Sequence, residues 1–234
     1  MPALTSPERV LGGLQWFPHG RSLLVTDYDT SEFIRQIDVQ TGEVKVFLDR
    51  RGMGIIVAPM GFSADGKALL YAQATADFTT ARMMRRNTES GEERELFHMT
   101  APDLPVSGAL SADGWQLAYV IDNEKQNTSS LMIMPAEGGP ARELLQSKIP
   151  FDAVNWTRDN RHVLIIRHPE SGPPELWSVS MDGGKLQPSG LATLGLFDVS
   201  VHPDGRRIAF CSCKGPTEEV WVIKNLLSAP KASR

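Results

Sequence analysis

Residues Phe197 to Leu227, FDVSVHPDGRRIAFCSCKGPTEEVWVIKNLL, set out in one pass the unit from which the chain is built. An apolar run leads into Pro203-Asp204-Gly205, a β-rich run (RIAFCS) follows, then a polar loop and a second β-rich run (EVWVIKN). Proline, aspartate and glycine between such runs are turn chemistry, so the stretch reads strand, turn, strand, loop, strand.

The same turn recurs as FPHGRSLLVT from Phe17, FSADGKALLYA from Phe62, LSADGWQLAYV from Leu110, WTRDNRHVLII from Trp156 and VHPDGRRIAFC from Val201. The copies start 45 to 48 residues apart, close to the ~40 to 45 residues of a four-stranded propeller blade. The second strands (SLLVTDY, ALLYAQA, QLAYVID, HVLIIRH, RIAFCSC) are continuously apolar, as strands packed on both faces are. Third strands (FIRQIDV, ARMMRRN, SLMIMPA, ELWSVSM, EVWVIKN) end in glycine-bearing turns such as Gln40-Thr41-Gly42, and the fourth strands that follow are more charged, which suits outer edges. The expectation is an all-β, five-bladed propeller of four-stranded antiparallel blades near 10–49, 55–99, 105–147, 151–191 and 196–225. The last copy has no fourth strand of its own, and residues 2–5 have no blade of their own. An open ring would leave two edges exposed, so the N-terminal strand is expected to complete the fifth blade. The repeat runs end to end, which predicts one domain over residues 1–234.

Lys+Arg total 24 against Asp+Glu 28, for a net charge of −4. That argues against a nucleic-acid partner, because phosphate binding needs a clustered positive field. Arg82, Arg85 and Arg86 read as a solvated strand face. Hydrophobic residues make up 41%, and no run approaches the ~18 residues of a membrane span. MPALTSPERV has neither a basic start nor an apolar core, so a cytoplasmic, soluble, monomeric protein is expected, or a periplasmic one if the chain is a piece of a longer sensor. Cys211 and Cys213 are two apart on one strand and point to one face, where packing is the expected role. No cofactor and no metal site is expected, since the five histidines are scattered.

The turn residues Asp65, Asp113, Asp159 and Asp204 mimic a catalytic or metal-binding set. Each occupies the same turn of a different blade, where a carboxylate accepts hydrogen bonds from nearby backbone N–H groups, so they are read as structural. Gly61-Phe62-Ser63-Ala64-Asp65 misses the nucleophile-elbow pattern at its last residue, which leaves Ser63 a turn residue. Asp152 and Asp198 lie on innermost strands and would suit acid and base catalysis across a channel. Strict alternation puts them on opposite faces, unless a bulge intervenes. Arg50, Arg51, Gly52 and Gly54 could cradle an anion or simply form a glycine turn. No catalytic residue is assigned.

The copies FSADGKALLYA, LSADGWQLAYV and VHPDGRRIAF resemble the TolB-like, WD-repeat-like β-propeller family, with His19 standing where the turn aspartate is usual and Asn160 where glycine is. The ending HPDGRRIAFCSCKGPTEEVWVIKNLL is similar to the last blade of propeller sensor regions of bacterial serine/threonine kinases and winged-helix regulators. The resemblance implies a non-catalytic recognition or sensor module that binds a protein, peptide or small ligand. The alternative is a propeller hydrolase, or the gating propeller of a prolyl-oligopeptidase-like serine peptidase. The loops after second and fourth strands share one face and vary, whereas the turns opposite are constant. A ligand is therefore expected around Arg51, Asp77, Asp103 and Glu124 on that loop face, at the channel mouth.

Overall fold

The protein is described here by a computed structural model covering residues 4–6, 11–27, 32–53, 55–214 and 217–224. Gly54 of the glycine loop, residues 2 and 3, parts of the loops at 28–31 and 215–216, and the tail from 225 onward lie outside the described residues.

The N-terminal strand β1 (Leu4–Ser6) is separate from the blade that follows it. Blade one is β2 (Leu11–Trp16), β3 (Ser22–Asp27), β4 (Phe33–Asp38) and β5 (Val44–Asp49). Blade two is β6 (Ile55–Phe62), β7 (Ala68–Thr75), β8 (Thr80–Asn87) and β9 (Glu93–Thr100), and blade three is β10 (Ser107–Leu110), β11 (Gln116–Asn123), β12 (Thr128–Pro135) and β13 (Arg142–Ser147). Blade four is β14 (Phe151–Trp156), β15 (His162–Arg167), β16 (Glu175–Ser180) and β17 (Leu186–Ala192). Blade five has β18 (Leu196–Val201), β19 (Arg207–Lys214) and β20 (Thr217–Lys224), and β1 pairs antiparallel with β20, Thr5 opposite Glu219, as its fourth strand. The innermost strands β2, β6, β10, β14 and β18 neighbour one another around a ring, and β18 meets β2. No helix forms among the described residues, and none is long and apolar enough to cross a membrane.

The continuous apolar second strands have a direct physical reason. Alternate residues of each serve two different cores, one on either side of the blade. Leu23 and Val25 pack toward blade five with Ala209 and Cys211, while Leu24 packs toward blade two with Leu69 and Tyr71. Val163 and Ile165 face blade three, and Leu164 and Ile166 face blade five. Five apolar clusters thus fill the five blade-to-blade interfaces. Leu164 and Ile165 are fully buried; truncating either to alanine should cost about 2–5 kcal/mol. Cys211 is a packing residue in the cluster that joins blade five to blade one.

The turns are built as their composition requires. The residue after each turn aspartate or histidine has positive φ: Gly20, Gly66, Gly114, Asn160 (57°) and Gly205. Asparagine substitutes for glycine because its short polar side chain tolerates the left-handed region. Ser63, Ser111 and Thr157 hydroxyls donate to Asp65, Asp113 and Asp159 at 2.6, 2.6 and 2.7 Å. Each aspartate also accepts the N–H two residues on, from Lys67, Trp115, Arg161 and, for Asp204, Arg206. His19 does the same with its Nδ1, which accepts from Arg21 N–H at 3.1 Å.

Removing residues 1–8 strips β20 of its outer partner and leaves an open row of backbone donors and acceptors. The truncated chain is expected to melt at lower temperature and to show concentration-dependent oligomers by light scattering; a truncated chain as stable and as monodisperse as the full one would refute closure by β1.

Candidate binding site at the loop face

The channel ends differently on the two faces. On the turn face a cavity of about 160 Å³ lies among Trp16, Trp156, Arg158 and His202. On the loop face a cavity of about 410 Å³ is bordered by residues of all five inner strands and by the loops that hold Phe78 and Leu104 to Val106. Gln15 borders both.

Small side chains in blade two leave the room. Ala58, Ala72, Ala74 and Ala81 line the loop-face cavity. Ala72 stands seven residues past its turn aspartate, the place held in blades three and four by the buried Val120 and Ile166. Val57, Pro59, Met60, Leu104 and Val106 add apolar wall, Gln15, Thr26 and Ser107 add polar groups, and the exposed Phe78 stands at the rim. Phe78 has φ 52°, an unusual conformation for a bulky residue. Its turn is braced by Asp77, whose carboxylate accepts from Thr79 N–H (3.2 Å) and the Thr79 hydroxyl (2.9 Å), and by Phe78 N–H donating to Thr75 O at 2.9 Å.

Asp152 and Asp198 both border this cavity, against the strict-alternation reading. The reason is a pair of bulges placed differently. In β14 the register shifts after Asp152, between it and Asn155, and in β18 it shifts before Asp198, between it and Leu196. Asp152 is consequently opposite Ile166 and Asp198 opposite Cys211, each seven residues past its own turn aspartate. Bulges re-aim side chains in this way.

The same position in blade three is Ser107, opposite Val120. Ser107 Oγ accepts the N–H of Val154 in the next blade at 3.1 Å, and Asp198 Oδ2 accepts the N–H of Leu14 in its next blade at 2.9 Å. Other seam bonds join Trp16 N–H to Ser200 Oγ, Val201 N–H to Asn155 Oδ1 and Trp156 Nε1 to Ala109 O. Asp198 Oδ1 also accepts Val199 N–H at 2.7 Å. Burial pushes the Asp198 carboxyl up to about 7; backbone N–H groups of Leu14 and Val199 hold it down in part, and the negative charge of Asp152 adds to the rise. Asp152 is in turn bonded to His168 Nε2 at 3.0 Å, and that contact raises the imidazole above its usual value.

None of the four charged residues expected to bind a ligand borders the cavity itself. Asp77 braces the Phe78 turn, and Asp103 directly precedes Leu104, so these two flank it. Arg51 is held by Asp49 through Nε (3.0 Å) and Nη2 (2.6 Å), which takes the Asp49 carboxyl down to about 2. Glu124 is exposed in the β11–β12 loop. In the described part of the glycine loop, Arg50 pairs with Glu93 and Gly52 N–H donates to Glu32. Arg82, Arg85 and Arg86 each pair with a glutamate, Glu95, Glu137 and Glu93 respectively. Among the described residues no group of three or more potential ligands could hold a metal ion.

No protein-family model matches the chain. The Tol-Pal system protein TolB of Anaeromyxobacter dehalogenans is 24% identical over 191 residues, which cover 82% of this chain and 41% of that protein. The crystal structure of TolB from Acinetobacter baumannii superposes with a TM-score of 0.63 at 15% identity, covering 93% of this chain and 52% of the other. The chain is a TolB-like β-propeller. It spans about two fifths of the length of the curated TolB relative it matches. The fold is also shared with an enzyme, a gluconolactonase from Xanthomonas campestris, at a TM-score of 0.57, 13% identity and coverage of 94% and 89%.

Asp198 gives this TolB-like propeller a defined pH response. Its folded pKa lies near 7, above the unfolded value of ~3.9, so between these values the folded state holds a proton that the unfolded chain has lost. Stability therefore falls as pH rises through this window, by on the order of 4 kcal/mol in all. His168, raised by Asp152, adds a smaller loss in the same direction. The melting temperature is expected to drop from pH 5 to pH 8, and Asp198→Asn should remove most of that drop; an equally steep profile in the variant would show that Asp198 does not carry it.

Proposed function

We propose that this chain is a non-catalytic recognition module that binds a protein or peptide at its loop face and channel mouth. One observation carries the reading. Met53, Phe78, Val106, Ile149 and Leu194, five of the large hydrophobic side chains left exposed, all stand on the connections of that face. Two of them, Phe78 and Val106, border the cavity of about 410 Å³. Exposed apolar side chains gathered on one face around a cavity mark an interaction surface, and loops on a rigid scaffold are where such surfaces are built. The likeness to TolB, a Tol-Pal system protein, supports a protein as the partner.

A second reading, hydrolysis, draws on the two carboxylates in one cavity and on the propeller fold shared with a gluconolactonase. Asp198 is poorly suited to it, because both its oxygens already accept backbone N–H groups, Oδ2 from Leu14 across the seam to blade one and Oδ1 from its neighbour Val199.

The test compares the two faces. With the protein immobilised and challenged with extract of its source organism, Phe78→Asp combined with Val106→Asp should lose the partner. Trp115→Asp and Asp113→Ala on the turn face should retain it, the latter at reduced thermal stability. Equal loss from both faces would overturn the loop-face assignment. Lactone, glycoside or peptide hydrolysis abolished by Asp152→Ala would restore the enzyme.

A further inference from the structure

We propose that the loop-face cavity is a binding site for an organic ammonium group on an apolar stem, such as a lysine side chain, with Asp152 and Asp198 as its counter-charges. The proposal deepens the loop-face reading and rests on it for the source of the ligand. Its first ground is the charge of the cavity. Among the described residues that border it there are two carboxylates and no lysine, arginine or histidine; His168, outside the lining, is bonded to Asp152 Oδ1 and shares that carboxylate. Walls of Val57, Pro59, Met60, Leu104 and Val106 lower the local dielectric, which strengthens attraction for a cation and focuses the field at the mouth.

The second ground is that the charge of Asp198 is not needed for architecture. Ser107 occupies the equivalent place in blade three and makes the equivalent bond to the next blade with a neutral hydroxyl. The chain nevertheless carries a buried carboxylate in blade five, where burial penalises it. An ionised carboxylate offers about four lone-pair sites, and the backbone N–H groups of Leu14, Val199 and Gly13 that act on Asp198 leave one of them beside the cavity. An ammonium with three donors can use it.

The third ground is the shape and the mixture of surfaces. A volume of about 410 Å³ falls in the ordinary range for small-molecule sites, roughly 300–1,000 Å³. The alanines of blade two form the apolar end and the aspartates of blades four and five the charged end, so an amphipathic cation matches where a neutral hydrocarbon leaves the carboxylates unpaired. A hard metal ion is a poorer match: calcium takes about six to eight oxygen ligands, and two carboxylates among apolar walls fall well short of that.

The probe is n-hexylamine, followed by shifts of the Gly108, Val106 and Val199 amides in nitrogen–proton NMR spectra of the full chain, with 1-hexanol and hexanoate as matched controls. Saturable shifts are expected with the amine. The alcohol should bind at least about tenfold more weakly, the loss expected when a charge-assisted hydrogen bond is removed, and hexanoate should not bind. Nα-acetyl-lysine N-methylamide serves as the lysine source: binding assigns the ligand to a protein side chain, and binding of hexylamine alone assigns it to a free amine of the same class.

Asp198→Ser, which copies blade three and should fold, and Asp152→Asn should each weaken the amine at least about tenfold and leave the alcohol unchanged. Ala72→Leu, which fills the cavity, should abolish both. Equal affinity for amine and alcohol, retention of amine binding in both aspartate variants, or the absence of any amine-specific shift would overturn the proposal. If that occurs while the Phe78 and Val106 variants still lose the protein partner, only the ammonium site falls and the loop-face reading stands.

Discussion

Three residues of backbone pairing hold the two ends of this chain together. β1 lies against β20, with Leu4, Thr5 and Ser6 opposite Val220, Glu219 and Glu218. Without that pairing blade five would end in an open edge, and the seam between blades five and one would rest on its apolar cluster and side-chain hydrogen bonds alone. Every interface is of one kind, an apolar cluster between neighbouring blades, so a propeller opened at one seam forfeits contacts that no other part of the chain replaces. The seam between blades five and one is reinforced near the channel by Asp198 and Ser200, which accept the Leu14 and Trp16 N–H groups. The same residues that close the ring therefore also shape the cavity at its centre.

Much of the architecture was legible in the sequence because the turns are chemically explicit. An aspartate that accepts the N–H two residues later, followed by a residue with positive φ, leaves few conformations open, and the chain repeats it with His19 and Asn160 as working substitutes. The second strands betray two-sided burial by lacking alternation. The missing fourth strand of the last copy pointed to the N-terminus for the same reason, since an unpaired edge has to be satisfied.

The site was far less legible. Charge on loops drew attention to Arg51, Asp77, Asp103 and Glu124, yet charged loop residues readily satisfy one another. Arg51 is occupied by Asp49, and Asp77 holds a turn whose product is the exposed ring of Phe78. The signal that would have found the cavity is subtraction: Ala58, Ala72, Ala74 and Ala81 in blade two, where Val120 and Ile166 stand at the place of Ala72 in other blades. Counting residues from the turn separated Asp152 from Asp198, because sequence spacing does not reveal on which side of a residue a bulge falls.

The closure of the ring can be measured directly by amide hydrogen exchange in the intact chain. If β1 caps β20, the amides of residues 218–220 should exchange as slowly as those of the third strand of blade four, Glu175–Ser180, which is paired on both sides by β15 and β17. Exchange in 218–220 as fast as in an unpaired outer edge would contradict the account, because it would mean that blade five lacks its fourth strand and the N-terminal strand does not close the ring.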